Sequence, residues 1–273
     1  MQRIALAFVL AAIASGQKFD VASIKPSHGD IHRVAIGMRP GGRFNAQNVS
    51  VKQLITIAYN VREYQVTGLP SWADSDRYDI DAKPEGASAT PPPAGIPSAA
   101  ELQTQQEKMR AMLRDLLADR FGLKIHRESK ELPIYALVVA KNGPKLEESK
   151  QQAPADGDRP RGQTIRMGRG QVSGELMQMS MLVNQLSTIL GRNVVDKTGL
   201  TGRYDIKMSW TPEDGEGGLF RGPRPDGPPP PASGDSGPSL FTAIQEQLGL
   251  RLDSQKGPVD LIVVDHVDKP SEN

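Results

Sequence analysis

Arg77-Tyr78-Asp79-Ile80 recurs letter for letter as Arg203-Tyr204-Asp205-Ile206, 126 positions further along the chain (203 minus 77). The order of the surrounding signals is kept as well. Thr67-Gly68-Leu69 and Thr198-Gly199-Leu200 stand upstream of the two copies, and before them lie segments of helical period, Val51 to Tyr59 and Leu182 to Leu190. Downstream, the first copy runs through Met109 to Asp119 into Phe121-Gly122-Leu123-Lys124-Ile125. The second runs through Leu240 to Gln247 into Leu248-Gly249-Leu250-Arg251-Leu252. A proline then precedes an apolar strand in both, Pro133 before Ile134 to Val139 and Pro258 before Val259 to Val264. Offsets between 125 and 132 with an unchanged order read as a duplicated unit.

Each unit is expected to run helix, turn, strand, irregular insertion, helix, strand, strand. Ser50 and Ser180 are placed to cap the first helices. Leu54, Ile55, Ile57 and Ala58, and in the other copy Leu182, Leu186, Ile189 and Leu190, give the apolar stripe with which a helix docks. Gly122 and Gly249 follow the second helices, where the left-handed C-cap conformation favours glycine. Alternation in Leu123-Lys124-Ile125-His126 and Leu250-Arg251-Leu252-Asp253 marks half-buried strands. The expected fold is α+β: two duplicated small helix-on-sheet lobes, packed side by side and joined by Pro/Gly-rich disordered loops, with Phe19 to Phe44 adding strands to the first lobe.

The ends and linkers set the boundaries. Arg3, the apolar run Ile4 to Ile13 and the small residues Ala14-Ser15-Gly16 have the layout of a secretory signal peptide over residues 1–16. The expected mature chain is therefore periplasmic or secreted, with no membrane span after signal cleavage; the alternative is that the leader stays uncleaved as an N-terminal anchor. The first repeat is read over 17–147 with a loop at 84–100, a linker over 148–171, and the second repeat over 172–273 with a disordered insertion at 211–238. That insertion includes Pro228-Pro229-Pro230-Pro231. Such composition does not offset the roughly 1 to 2 kcal/mol per residue needed to order a backbone. With no cysteine the chain has neither a disulfide framework nor a thiolate metal site, so its stability must come from apolar cores. A net charge of +1, from 33 basic and 32 acidic residues, argues against a nucleic-acid partner. The cluster Arg159, Arg161, Arg166 and Arg169 is read as a solvated loop.

Several stretches resemble an uncharacterised family of secreted bacterial proteins expanded in Solibacter-type acidobacteria. They are Phe19-Asp20-Val21-Ala22-Ser23-Ile24-Lys25-Pro26-Ser27, Gly41-Gly42-Arg43-Phe44, Gly68-Leu69-Pro70-Ser71-Trp72, Asp196 to Asp205, and Val264-Asp265-His266-Val267-Asp268-Lys269-Pro270. The resemblance implies no assigned activity. Related domains look to be fused to membrane sensors of the BlaR type, which implies an extracytoplasmic sensing or binding role. The repeat unit, from Leu182 to Leu252, is also similar to the short N-terminal module of secretins and TonB-dependent receptors, which docks partners and catalyses nothing.

No catalytic set converges in the sequence. His28 and His32 flank Asp30 at helical spacing, but Pro26 and Gly29 make the segment a loop rather than a metal site. His126 and His266 are expected on the surface. Asp196-Lys197-Thr198-Gly199 shares letters with the Lys-Thr-Gly strand of serine β-lactamases, yet the only Ser-x-x-Lys is Ser15 to Lys18, beside the leader, so acyl transfer is not expected. No catalytic residue, metal ligand or cofactor is assigned. The candidate ligand-binding residues are Trp72, Arg77, Asp79, Arg203, Asp205 and Trp210; each tryptophan reads foremost as capping the edge of its own small core, and the alternative is that the two line a cleft between the repeats. The paired Asp79 and Asp205, each close to an arginine, read foremost as structural anchors. The expected function is a non-catalytic exported module binding an unknown protein, peptide or envelope component; the rival is a hydrolase-like enzyme of undescribed class using that cleft.

Overall fold

The computed structural model describes residues 18–28, 34–39, 42–85, 99–149, 166–168, 170–212 and 237–270. The leader, most of the loop at 84–100 and most of the insertion at 211–238 lie outside the described residues. So do His32, Arg159, Arg161 and Arg169.

The chain is a mixed α+β protein. Strands β1 (Phe19–Pro26), β2 (Ala35–Arg39) and β3 (Arg43–Val49) precede α1 (Val51–Tyr59). A 3₁₀ turn (Glu63–Gln65), β4 (Val66–Thr67), α2 (Trp72–Ser75), β5 (Tyr78–Pro84), α3 (Ala99–Phe121) and β6 (Lys124–Val139) complete the first half. The second half follows with β7 (Glu147–Glu148), β8 (Arg166–Gly168), β9 (Gln171–Met177), α4 (Met179–Leu190), β10 (Val194–Asp196), β11 (Tyr204–Ser209), α5 (Leu240–Leu248) and β12 (Leu250–His266).

Two antiparallel sheets share one layout. The first has the order β1-β5-β3-β2 and the second β7-β11-β9-β8, so each tyrosine-bearing strand lies inside its sheet. β7 and β8 come from the segment read as a linker over 148–171 or from its margin, a correction with a simple cause. A strand of two or three residues leaves too short an alternation to be seen in sequence.

Local chemistry explains the helices. In α1 the Ser50 hydroxyl accepts from Gln53 N–H while the Gln53 side chain accepts from Ser50 N–H, a reciprocal capping box. Left-handed Asn60 ends the helix, and Val51, Leu54, Ile55 and Ala58 are buried. In α4 the expectation for Ser180 fails: the helix begins one residue before it, and the N-cap is Gln178 without a side-chain bond. The apolar stripe of Met179, Leu182, Leu186 and Ile189 draws that extra turn onto the core. Gly249 ends α5 at φ +64°, and Gly122 follows α3 at φ +58°.

The third sheet departs from the reading of two self-contained lobes. Its order is β10-β6-β12-β4, and β6 and β12 pair antiparallel along their whole length, from Leu250 opposite Val139 to His266 opposite Lys124. What reads as two strands per repeat is thus one strand of 16 residues in the first half and one of 17 in the second. At about 3.3 Å per residue such a strand reaches from one lobe to the other. Ile262 and Val264 of β12 are buried in the first lobe's core, with Leu54, Phe44, Leu117 and Phe121. Leu137 of β6 is buried in the second lobe's core, with Leu182, Leu186, Trp210 and Ile244. Each core is therefore sealed by a strand from the other half of the chain.

Proline is tolerated inside this ribbon because each strand has one neighbour over most of its length. The Pro133 carbonyl accepts from Arg192 Nε at 2.9 Å and Tyr135 N–H donates to the Asn193 carbonyl at 2.9 Å, both on the side away from β12. The nitrogen of Pro133 shares that side by the two-residue period, so its missing N–H removes no β6–β12 bond.

Candidate functional site

The six residues singled out in sequence separate in space. Asp79 Oδ1 accepts the N–H of Asn48 at 2.8 Å, and Asp205 Oδ1 accepts the N–H of Leu176 at 3.0 Å. Asn48 (φ 57°) and Leu176 (φ 54°) are left-handed residues at irregularities in strand pairing, Ala46/Val49 in one sheet and Tyr204/Ile206 in the other. Both carboxylates thus hold a bulge whose backbone an L-residue adopts at a cost of about 1–2 kcal/mol. Arg77 Nη1 donates to Gln53 Oε1 at 3.1 Å, and Arg203 is exposed, its carbonyl accepting from Ser149 N–H at 2.8 Å.

The tryptophans belong to two different cores. Trp210 is 8% exposed inside the second core. Trp72 opens α2 and packs half-buried against the first core, with the ammonium of Lys269 5.6 Å from its ring centre. Lys269 also pairs with Asp76 at 2.7 Å, and Asp268 N–H donates to the Phe121 carbonyl at 2.7 Å, so the end of the second half laces onto the first lobe. The hydrogen bond from Lys269 holds the Asp76 carboxyl below its ordinary value of 3.8, and the same bond raises the ammonium.

Three shallow depressions collect the polar groups. One of about 430 Å³ lies on the outer face of the first sheet, lined by Lys25, Arg43, Gln47, Asp79, Asp81 and Lys83 among others. Its counterpart on the second sheet, about 410 Å³, includes Arg166, Glu175, Asp205 and Lys207. A third, of about 360 Å³, has Arg77, Asp76 and Lys269 in its wall. In the first, the hydrogen bonds from Arg43, among them Nη2 to Oδ2 at 2.6 Å, hold the Asp81 carboxyl below its usual range. Arg77, Asp79 and Asp205 therefore open onto three different surfaces.

Two of the four histidines, His126 and His266, lie near one end of the ribbon. His126 Nδ1 meets Asp265 Oδ1 and His266 Nε2 meets Asp268 Oδ2, each at 2.8 Å with both partners well exposed. Among the described residues no group of three or more His, Asp or Glu is placed to hold a metal ion.

One feature was not singled out in sequence. On the first sheet Ile36 lies opposite Ala46 and Met38 opposite Phe44. Ala46 and Phe44 are fully buried, whereas Ile36 is 39% and Met38 43% exposed. The core side of the sheet thus continues along β2 into solvent, with Val34, 43% exposed, next in the same alternation. That alternation with Ala35 and Gly37 is written in the sequence; its exposure depends on how far the helices reach.

An α+β protein with two small sheets tied by a strand-exchanged ribbon is the class this geometry defines. A family model described as "Protein of unknown function (DUF3738)" matches residues 52–267, and the chain belongs to that family. Strands β1 to β3 precede the matched stretch. No curated protein and no solved structure matches the chain. Among the described residues no helix is long and apolar enough to cross a membrane.

Proposed function

We propose that the chain is an exported binding module that holds a protein, peptide or envelope component on an open surface and does no chemistry on it. The observation that carries this reading is the uncovered apolar row Val34, Ile36 and Met38 on the core side of an edge strand. Contiguous apolar surface of this kind is costly to leave in water and marks interaction sites. The shallow polar depressions suit an extended partner better than an enclosed small molecule. Export is supported by the leader-like first 16 residues, and a sensing context by the resemblance to domains fused to BlaR-type sensors. The shared order of elements in the two halves supports descent from one duplicated unit.

Retention on envelope fractions tests this reading: the purified full chain is expected to be retained, and Ile36→Asp to be released, with an unchanged unfolding midpoint. Turnover of a hydrolase substrate panel that is lost in Asp79→Asn or Asp205→Asn would overturn it. Asparagine keeps an acceptor for the bulge N–H and removes only the charge, so a loss would report chemistry rather than folding.

A further inference from the structure

The binding reading deepens at β2 into a partner of definite chemistry. β2 ends its sheet, so among the described residues the side away from β3 faces no strand. In an antiparallel ladder every second pair of backbone groups points outward, which makes this edge a template for another strand. Natural edges are commonly blunted by lysine, proline or inward-pointing charge. Within β2 the only charged residue is Arg39, at the strand's end and on the outer face.

The outer face says what should sit beside it. Arg39 lies opposite Arg43. Because Phe44 pairs antiparallel with Ala82, Arg43 lies across from Lys83. Three cations therefore form a row across three strands, a repulsive arrangement that ends at the free edge. Arg43 hydrogen-bonds Asp81, two residues from Lys83 on the same face; the charge of Arg39 also reaches that carboxylate, and Arg39 stands at the outer end of the row. A second copy of β2 would meet Arg39 with alanine, glycine or arginine on the same face, and none of these supplies a carboxylate.

We infer that β2 accepts an extended segment of a partner polypeptide as an added strand, whose alternating apolar side chains cover Ile36 and Met38 and whose opposite face sets an acidic residue beside Arg39. Main-chain hydrogen bonds would supply affinity and the two faces the selectivity.

The inference rests on the binding reading but can fail separately from it. The probes are short capped peptides alternating valine with glutamate, valine with lysine, or serine with glutamate, titrated into the full chain by fluorescence anisotropy. The valine–glutamate peptide should bind best and slow amide exchange at residues 34–39. Ile36→Lys should weaken it at least about tenfold, and Arg39→Glu should switch the preference to the valine–lysine peptide. Both side chains are exposed, so circular dichroism and the unfolding midpoint should stay as in the wild type. Equal binding of the lysine peptide with Arg39 intact overturns the inference, as does concentration-dependent dimerisation that protects β2 without peptide. If no peptide binds while Ile36→Asp still releases the chain from envelope fractions, the added strand falls and the binding reading stands. If Ile36→Asp changes neither, both fall.

Discussion

Leu137→Ala separates an exchanged ribbon from two self-sealed lobes. Leu137 belongs to the first half by sequence, yet it is fully buried in the second lobe's core, the cluster that also holds Trp210 and Leu182. Truncating a fully buried leucine to alanine costs about 3 kcal/mol through lost transfer energy and the cavity left behind. With a urea slope of about 2 to 3 kcal/mol per M, the midpoint of the affected unit falls by about 1 to 1.5 M. The chain's two tryptophans make the assay direct, because Trp72 packs on the first core and Trp210 lies in the second. In a Trp72→Phe background, Trp210 fluorescence should show this drop on adding Leu137→Ala. In a Trp210→Phe background, Trp72 should follow to the extent that the ribbon couples the lobes. A drop seen by Trp72 alone, with the Trp210 transition unmoved, would refute the exchange.

Further expectations concern the joints. Asp205→Ala should cost about 1.5 kcal/mol, the low end for a bond to a charged group because the carboxylate is exposed, and Asp205→Asn clearly less; equal losses in chemical denaturation would remove the bulge role. Gly68 has φ +80°, and an added Cβ would stand 2.5 Å from the carbonyl oxygen of Val264. Gly68→Ala should therefore destabilise by about 2 kcal/mol or more, read as a lowered urea midpoint. The Asp76 carboxyl titrates below its ordinary value in the folded chain, so the stability it adds is present above pH 3.8 and is lost as pH falls through the folded value. Lys269→Met should lower the melting temperature at neutral pH and converge with the wild type as acid protonates Asp76. A difference that stays constant on acidification would show that Lys269 acts through its packing on Trp72 alone.

How much of this was legible depends on how far each partner lies along the chain. The start of α1 and the end of α5 were readable because caps and stripes are local: Ser50 ahead of the first helix and glycine at 249 after the last, whereas the Ser239 cap of α5 was not singled out. The strand exchange was not. Leu123 to Ile125 and Ile134 to Val139 read alike whether they fold back as two strands or run on as one, and the polar Arg127 to Glu131 between them looks like a turn. It is the middle of a strand whose partner, Ser129 opposite Asp260 for example, is supplied by the other end of the chain. Asp79 and Asp205 were legible as a repeated pair, but the N–H groups they hold are 31 and 29 residues away.

The exchange also bears on where a partner can bind without undoing the fold. Ile262 is 1% exposed on β12 and seals the first core, whereas Ile36 is 39% exposed on a strand at the edge of its sheet. A charge at Ile262 would leave an unpaired ion in the core at a cost of several kcal/mol, while the same charge at Ile36 is solvated at once. Ile262→Lys should therefore abolish folding by circular dichroism, and Ile36→Lys should leave the melting temperature within a degree or two, on the order expected of a surface change. An equal collapse of both variants would mean that the β2 row belongs to the core, and its claim to be a docking edge would go with it.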